Sequence, residues 1–185
     1  MNNAKRVGFV MLAIVAGIGL IASAQEVKPE PPSKELLDIA ASQDGYNPLF
    51  SKDLSNATME ERGWAWEDDV LAAKGKGDIW TKERYGNFVL DLEFKCDPET
   101  NSGVFIRCDS IKNWLHTAIE VQILQPNDKY ENDKHHCGGI FDCLAPAILA
   151  IKPAGEWNHY LIIAKDNMIW VYLNNELVVS MDLDK

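Results

Sequence analysis

The stretch "IIAKDNMIWVYLNNELVVSMD" constrains the fold of this chain more than any other. Three apolar runs are joined by Asp166-Asn167 and Asn174-Asn175, two-residue connections made of side chains that tolerate left-handed backbone angles. Runs so joined can only fold back on one another as antiparallel strands. The rest of the chain from Tyr46 onward conforms, with short apolar or alternating runs separated by Gly, Asn and Asp. Strands are expected at "GDIWT", "NFVLDLEFKC", "GVFIRC", "TAIEVQIL", "NHYLIIAK", "MIWVYLN" and "ELVVSMDL", the pattern of an all-β sandwich. In "NFVLDLEFKC", Phe88, Leu90, Leu92 and Phe94 alternate with Val89, Asp91, Glu93 and Lys95, so one face is to be buried and the other largely wet.

The chain ahead of these strands has a different character. "MNNAKR", then "VGFVMLAIVAGIGLIA", then Ala22, Ser23 and Ala24 form the basic start, apolar middle and small-residue cleavage site of a secretory signal peptide over residues 1–24. The mature chain is therefore expected to begin at Gln25, to be exported to the periplasm or the outside of a bacterial cell, and to keep no membrane anchor. "QEVKPEPPSKE" is rich in Pro and charge and reads as a tether over residues 25–44, with a short helix available in "KELLDIAASQ". Residues 45–185 then make one domain.

The net charge is −10, and the expected leader holds Lys5 and Arg6 but no acid, so the exported part is more acidic still. Binding to a phosphate backbone needs clustered Lys and Arg, which excludes nucleic acid as a partner. Export also places Cys96, Cys108, Cys137 and Cys143 where disulfides persist. A bridge from Cys96 to Cys108 across a hairpin and one from Cys137 to Cys143 around a short loop are both reasonable, though spacing does not decide the connectivity. "KHHCGGIFDC" gathers two His and two Cys, but its spacing is not that of a zinc site.

Two strands carry polar groups that a plain strand would not. In "TAIEVQIL", Glu120 and Gln122 share a face with Ala118, and in "GVFIRC", Phe105 and Arg107 are expected to share one, so neighbouring strands would bring Arg107 beside Glu120. A cross-strand ion pair on a wet face is one reading and the floor of a ligand site is the other.

The ordered set "YNPLFSKDLS", "WAWEDDVLAAKGKGDIWTKERYGNFVLDLEFK", "NSGVFIR", "IEVQIL", "GGIFD", "KPAGEWN" and "IWVYLNNELV" resembles the 3-keto-disaccharide hydrolase domain family, formerly a domain of unknown function. The resemblance runs from Tyr46 to the end of the chain. It implies a concanavalin A-like jelly-roll sandwich of two antiparallel sheets with one concave face. It also implies action on a glycoside or oligosaccharide whose ring C3 has been oxidised to a ketone. Family domains usually continue beyond the equivalent of "MDLDK" with a Gly-rich segment and a closing strand, so a sandwich lacking that final strand is expected.

For such a substrate, a base removes the C2 hydrogen, the C1 substituent leaves by elimination, and water adds to complete hydrolysis. Glu120 is the expected base, His116 a competing one, and Arg107 or Lys152 the group that meets the enolate oxygen. Gln122, Asp142, Lys152 and Trp80 are expected to bind sugar; Trp114 is a further platform candidate, and Trp157 and Trp170 read as core or strand-end residues. A lone His such as His116 is more often a hydrogen-bonded structural residue, and Asp142 and Lys152 are equally suited to steadying their loop. No cofactor is identified. A divalent metal polarising the ketone fits the chemistry, but no compact ligand set stands in the sequence. The alternative from another class is a non-catalytic, lectin-like carbohydrate-binding module on the same sandwich.

Overall fold

The computed structural model describes residues 28–42, 45–61, 63–75, 77–126 and 132–185; the expected signal peptide lies outside them. In chain order the elements are α1 (Lys34–Ser42), β1 (Ala57–Met59), β2 (Trp64–Glu67), β3 (Val70–Ala73), β4 (Ile79–Thr81), β5 (Phe88–Lys95) and β6 (Asn101–Ile106). They continue with α2 (Trp114–Thr117), β7 (Ile119–Leu124), β8 (Trp157–Lys165), β9 (Met168–Leu173) and β10 (Glu176–Asp182). The architecture is an all-β jelly-roll sandwich of antiparallel strands, with a four-stranded sheet in the order β10-β9-β8-β5, two-stranded pairs β6-β7 and β2-β3, and β1 paired with β4 across the intervening β2–β3 hairpin.

The meander forms as its turns require. Asp166, Asn174 and Asn175 all adopt left-handed backbone angles, which a β-branched residue would resist. In β5, Phe88, Leu90, Leu92 and Phe94 point into the sandwich against Tyr160, Ile162, Ala164, Ile169, Val171 and Leu173. Ile106, Val121 and Ile123 close the core from the β6–β7 side. Ile162 is fully buried there. Ile162→Ala is expected to cost about 2–5 kcal/mol of unfolding free energy, read by urea denaturation.

The two layers are also tied by a polar contact. Tyr160 of β8 donates its hydroxyl to the Gln122 carbonyl of β7 at 2.6 Å, and Cys137 Sγ lies 3.2 Å from the same hydroxyl. Tyr160 thereby holds β7 by its backbone, and β7 carries Glu120.

The short helix available in "KELLDIAASQ" forms as α1, and residues 28–42 are docked on the sheet instead of extended. Pro-flanked Ser33 accepts from the Leu36 amide at 3.3 Å as an N-cap, and α1 lays Leu36, Leu37 and Ala40 on the outer face of the four-stranded sheet, over Ile163 and Trp170. Trp170 Nε1 donates to the Glu30 carbonyl at 3.0 Å. An apolar outer face would otherwise meet water, and the amphipathic segment covers it.

Three other expectations are corrected. The strand expected from Thr117 starts at Ile119, because Thr117 Oγ1 is engaged in α2, accepting from Ser110 N at 3.2 Å and bonding Asn113 O at 3.0 Å. Arg107 does not continue β6: it turns left-handed (φ 54°), and its Nη2 donates to the Asp166 carbonyl at 2.9 Å at the β8–β9 turn. All four cysteines are free thiols. β5 and β6 pair with β8 and β7 respectively and form no hairpin with each other, so Cys96 and Cys108 do not face across a ladder. Cys137 is buried against Tyr160, whereas Cys143 is exposed. Burial pushes the Cys96 thiol up to about 11, assisted by Cys137 and Asp97.

Candidate active site

The outer face of the β6–β7 hairpin is organised in two rows. In the first, Phe105 is the register partner of Glu120. On the other edge of β7 the chain after the long loop runs alongside, with Val121 bridged to Ile140 and the Phe141 amide donating to the Glu120 carbonyl at 3.0 Å. Directly opposed residues in an antiparallel ladder share a face, so Glu120 stands between two phenylalanines. In the second row Gly103 opposes Gln122, and the Gln122 amide donates to Gly139 O at 2.9 Å.

Gly103 has a specific use. A Cβ there would fall 2.2 Å from Glu120 Oε1 and 2.6 Å from its Cγ, so the Glu120 side chain lies in the space that glycine leaves. Gln122 is 1% exposed, with Nε2 donating to Asn101 Oδ1 at 2.9 Å and Oε1 buried without a donor. It is a buried part of the floor, not a sugar-facing amide.

Beyond Phe105 rises an aromatic wall. Trp80 stacks on Phe105 with centroids 5.5 Å apart, and Trp114 packs on the same ring at 4.5 Å. The β1–β4 pairing, with Thr58 opposite Trp80, delivers that tryptophan. The wall borders a cleft of about 310 Å³ lined by Thr58, Met59, Glu60, Asp78, Trp80, Ile111 and Trp114. A wider hollow beside α1 is lined by that helix alone and offers no converging groups.

Burial raises the Glu120 pKa above the ordinary carboxylate value, and the charge of Asp78 adds to it. Asp78 is raised in turn by burial and by Glu60. Among the described residues no ion pair reaches Glu120.

On the Phe141 side, the His135 ring stacks on Phe141 at 4.4 Å, and its Nε2 lies 3.3 Å from Asp142 Oδ1. The structure thus gathers Glu120, Gln122 and Trp80 on one face, with Asp142 at its rim. His116 is exposed on α2, the short helix that also carries Trp114. Two expected residues are committed elsewhere: Arg107 is held at the β8–β9 turn, and Lys152 donates Nζ to the Trp157 carbonyl at 2.8 Å at the start of β8. The expected Arg107–Glu120 pair is therefore replaced by Phe105 opposite Glu120. Asp78, His135 and Phe141 carry no signal of their own in the sequence, and Phe105 reads there only as sharing a face with Arg107. His135 and Phe141 lie inside "HHCGGIFD", whose cysteines drew the reading toward bridges and metals. Among the described residues no group of three or more His, Cys, Asp or Glu is arranged to hold a metal ion.

Residues 45–185 match the family described as the 3-keto-alpha-glucoside-1,2-lyase-like domain. A candidate glycosyl hydrolase from Parabacteroides distasonis, of known crystal structure, is 39% identical with a TM-score of 0.69, covering 74% of this chain and 71% of that one. A second candidate glycosyl hydrolase from the same organism is 25% identical with a TM-score of 0.67, over 84% of this chain and 77% of that one. Among curated proteins there is no match.

Proposed function

Because this chain belongs to the 3-keto-alpha-glucoside-1,2-lyase-like family, we propose that it cleaves 3-keto-glycosides by elimination across C1 and C2 followed by hydration. The coarser conclusion is a glycosyl hydrolase-like, carbohydrate-active protein. The observation that carries the finer one is Glu120: a half-buried carboxylate with no cationic partner among the described residues, lying in the gap left by Gly103 and bordered by aromatic rings. A paired surface carboxylate is a weak base, whereas one held in partial burial without a counter-ion takes up a proton readily.

The steps follow from that group. The C3 ketone acidifies C2–H, and Glu120 takes the proton. The enolate then re-forms the carbonyl as the C1–O bond breaks and the aglycone departs. Water adds to C1 of the unsaturated ketone and C2 recovers a proton, so the net result is hydrolysis. Trp80 and Trp114 offer flat apolar faces on which sugar rings pack.

The pH dependence has a defined sign. Glu120 works deprotonated, so kcat/KM rises with pH through its raised pKa, placing the acid limb above the ordinary carboxylate range. Asp78→Asn removes a charge that raises that pKa and is expected to move the limb to lower pH. A pH–rate series on the two proteins checks this, and a limb that stays put counts against Glu120 as the base.

Export to the periplasm or beyond is part of the proposal, resting on the leader-like residues 1–24, and N-terminal sequencing from a secreting host reads the cleavage site. The test of the activity is to offer a chromogenic 3-keto-glucoside beside its non-oxidised parent. Release from the keto compound alone supports elimination. Tight binding of a glycoside with no release from either supports a lectin-like module, to which the same aromatic wall would be suited.

A further inference from the structure

We propose that His135, steadied by Asp142, is the general acid that protonates the departing glycosidic oxygen. The inference rests on the elimination chemistry proposed above and adds the second proton-handling group which that chemistry needs. Removing C2–H produces an enolate, but an alkoxide is a poor leaving group, and its expulsion is fast only if a proton reaches it as the C1–O bond breaks.

The chain has four histidines, and they differ sharply in placement. His116 is exposed on α2, and His136 faces Asp133 at 3.8 Å. His159 bonds Asp91 at 3.0 Å across the β5–β8 pair, on the face of the four-stranded sheet away from the core. His135 lies one aromatic ring from Glu120, because its imidazole is stacked on Phe141 and Phe141 is the ladder neighbour of Glu120.

Its setting suits a proton donor. The near-parallel stack on Phe141, at 14°, fixes the ring plane. Nε2 is 3.3 Å from Asp142 Oδ1 and 3.2 Å from Asn132 Nδ2, while Nδ1 has no hydrogen bond among the described residues. A carboxylate against one ring nitrogen holds the ring in place and leaves the other as the nitrogen available to meet the aglycone oxygen. Asp142 can serve there because its backbone is left-handed (φ 57°), a conformation that Asp tolerates. Asp142 is thus a positioning residue rather than a sugar ligand.

Protons balance over the cycle. Glu120 gains the C2 proton and His135 gives one to the aglycone oxygen, leaving neutral imidazole and a carboxylic acid. In hydration, neutral His135 takes a proton from the water that bonds to C1, and Glu120 returns its proton to C2. Both groups are restored, and water is the only co-reactant.

The experiment compares two 3-keto-glucosides, one with a 4-nitrophenyl aglycone that leaves unaided and one with a methyl aglycone that does not. For His135→Gln, release of methanol is expected to fall by about 10²–10⁴-fold while release of nitrophenol falls no more than several-fold. Asp142→Asn should show the same selectivity in weaker form. Equal losses on both substrates, or no loss on either, would overturn the assignment while leaving elimination by Glu120 intact. If the unaltered protein turns over neither compound, the elimination proposal itself fails and this one with it. Unfolding midpoints of both variants, measured alongside, separate a lost acid from a lost fold.

Discussion

Glu120→Gln is expected to lower turnover of a 3-keto-glucoside by about 10²–10⁴-fold, the range for losing a positioned base, while the affinity for substrate changes little. The substitution preserves shape and hydrogen-bonding capacity at the floor and removes only the ability to hold a proton. Its effect on stability runs the other way. A raised folded-state pKa means that Glu120 contributes stability below its unfolded pKa and loses that contribution as pH rises through the folded one. Near neutrality the charged form is therefore held at a cost, and the glutamine variant should unfold at a higher temperature there, with the gap closing as the pH is lowered into the carboxylate range. Calorimetry at two pH values, set beside the kinetic assay, reads both effects. A variant that loses activity and stability together at neutral pH would mean that Glu120 is a structural residue.

Gly103→Ala is the second large effect, of about 10² on turnover with the fold preserved. The added carbon falls where Glu120 Oε1 and Cγ now lie, and of the two neighbours it is the side chain that can move. A displacement of about 1 Å at a reacting group is enough to cost two orders of magnitude. Gly139, in the same row on the other edge of β7, makes the useful contrast. A Cβ there would meet the Leu144 carbonyl at 2.8 Å and Pro146 Cδ at 3.0 Å, which are backbone and ring atoms that cannot swing aside. Gly139→Ala should therefore lower the unfolding midpoint, where Gly103→Ala should not.

The contrast between the two glycines also marks what can be read from a sequence. Strands β4 to β10 announce themselves through alternation and turn residues, and so do the faces of β7, because period-two patterning is a local property. The sharing of one face by Glu120 and Gln122 follows directly. The side chains that meet them there do not. Arg107 has the right parity to stand beside Glu120, but parity holds only while the strand continues, and a left-handed residue ends β6 one position earlier. Phe105 is the partner instead. The stretch from Ile140 to Asp142 carries no strand pattern and runs beside β7 through one isolated bridge, so the approach of Phe141 and His135 to Glu120 depends on a pairing between segments about twenty residues apart. The short strands β1, β2 and β3 are equally silent, since three or four residues give too little alternation to count. The expected Cys96–Cys108 bridge is absent for the related reason that neighbours in sequence, β5 and β6, belong to different sheets.

The clasp between α1 and the four-stranded sheet bears on how the molecule can be presented. Leu36, Leu37 and Ala40 lie on the outer face of one layer, whereas Glu120 and the aromatic wall lie on the outer face of the opposing layer. The Trp170–Glu30 hydrogen bond fixes the chain to that far side before α1 begins. An affinity tag or resin joined directly at Lys28 would therefore attach on the side of the molecule away from the cleft. An immobilised form attached at that end would turn its cleft toward the solution and toward long glycans that could not thread past a support.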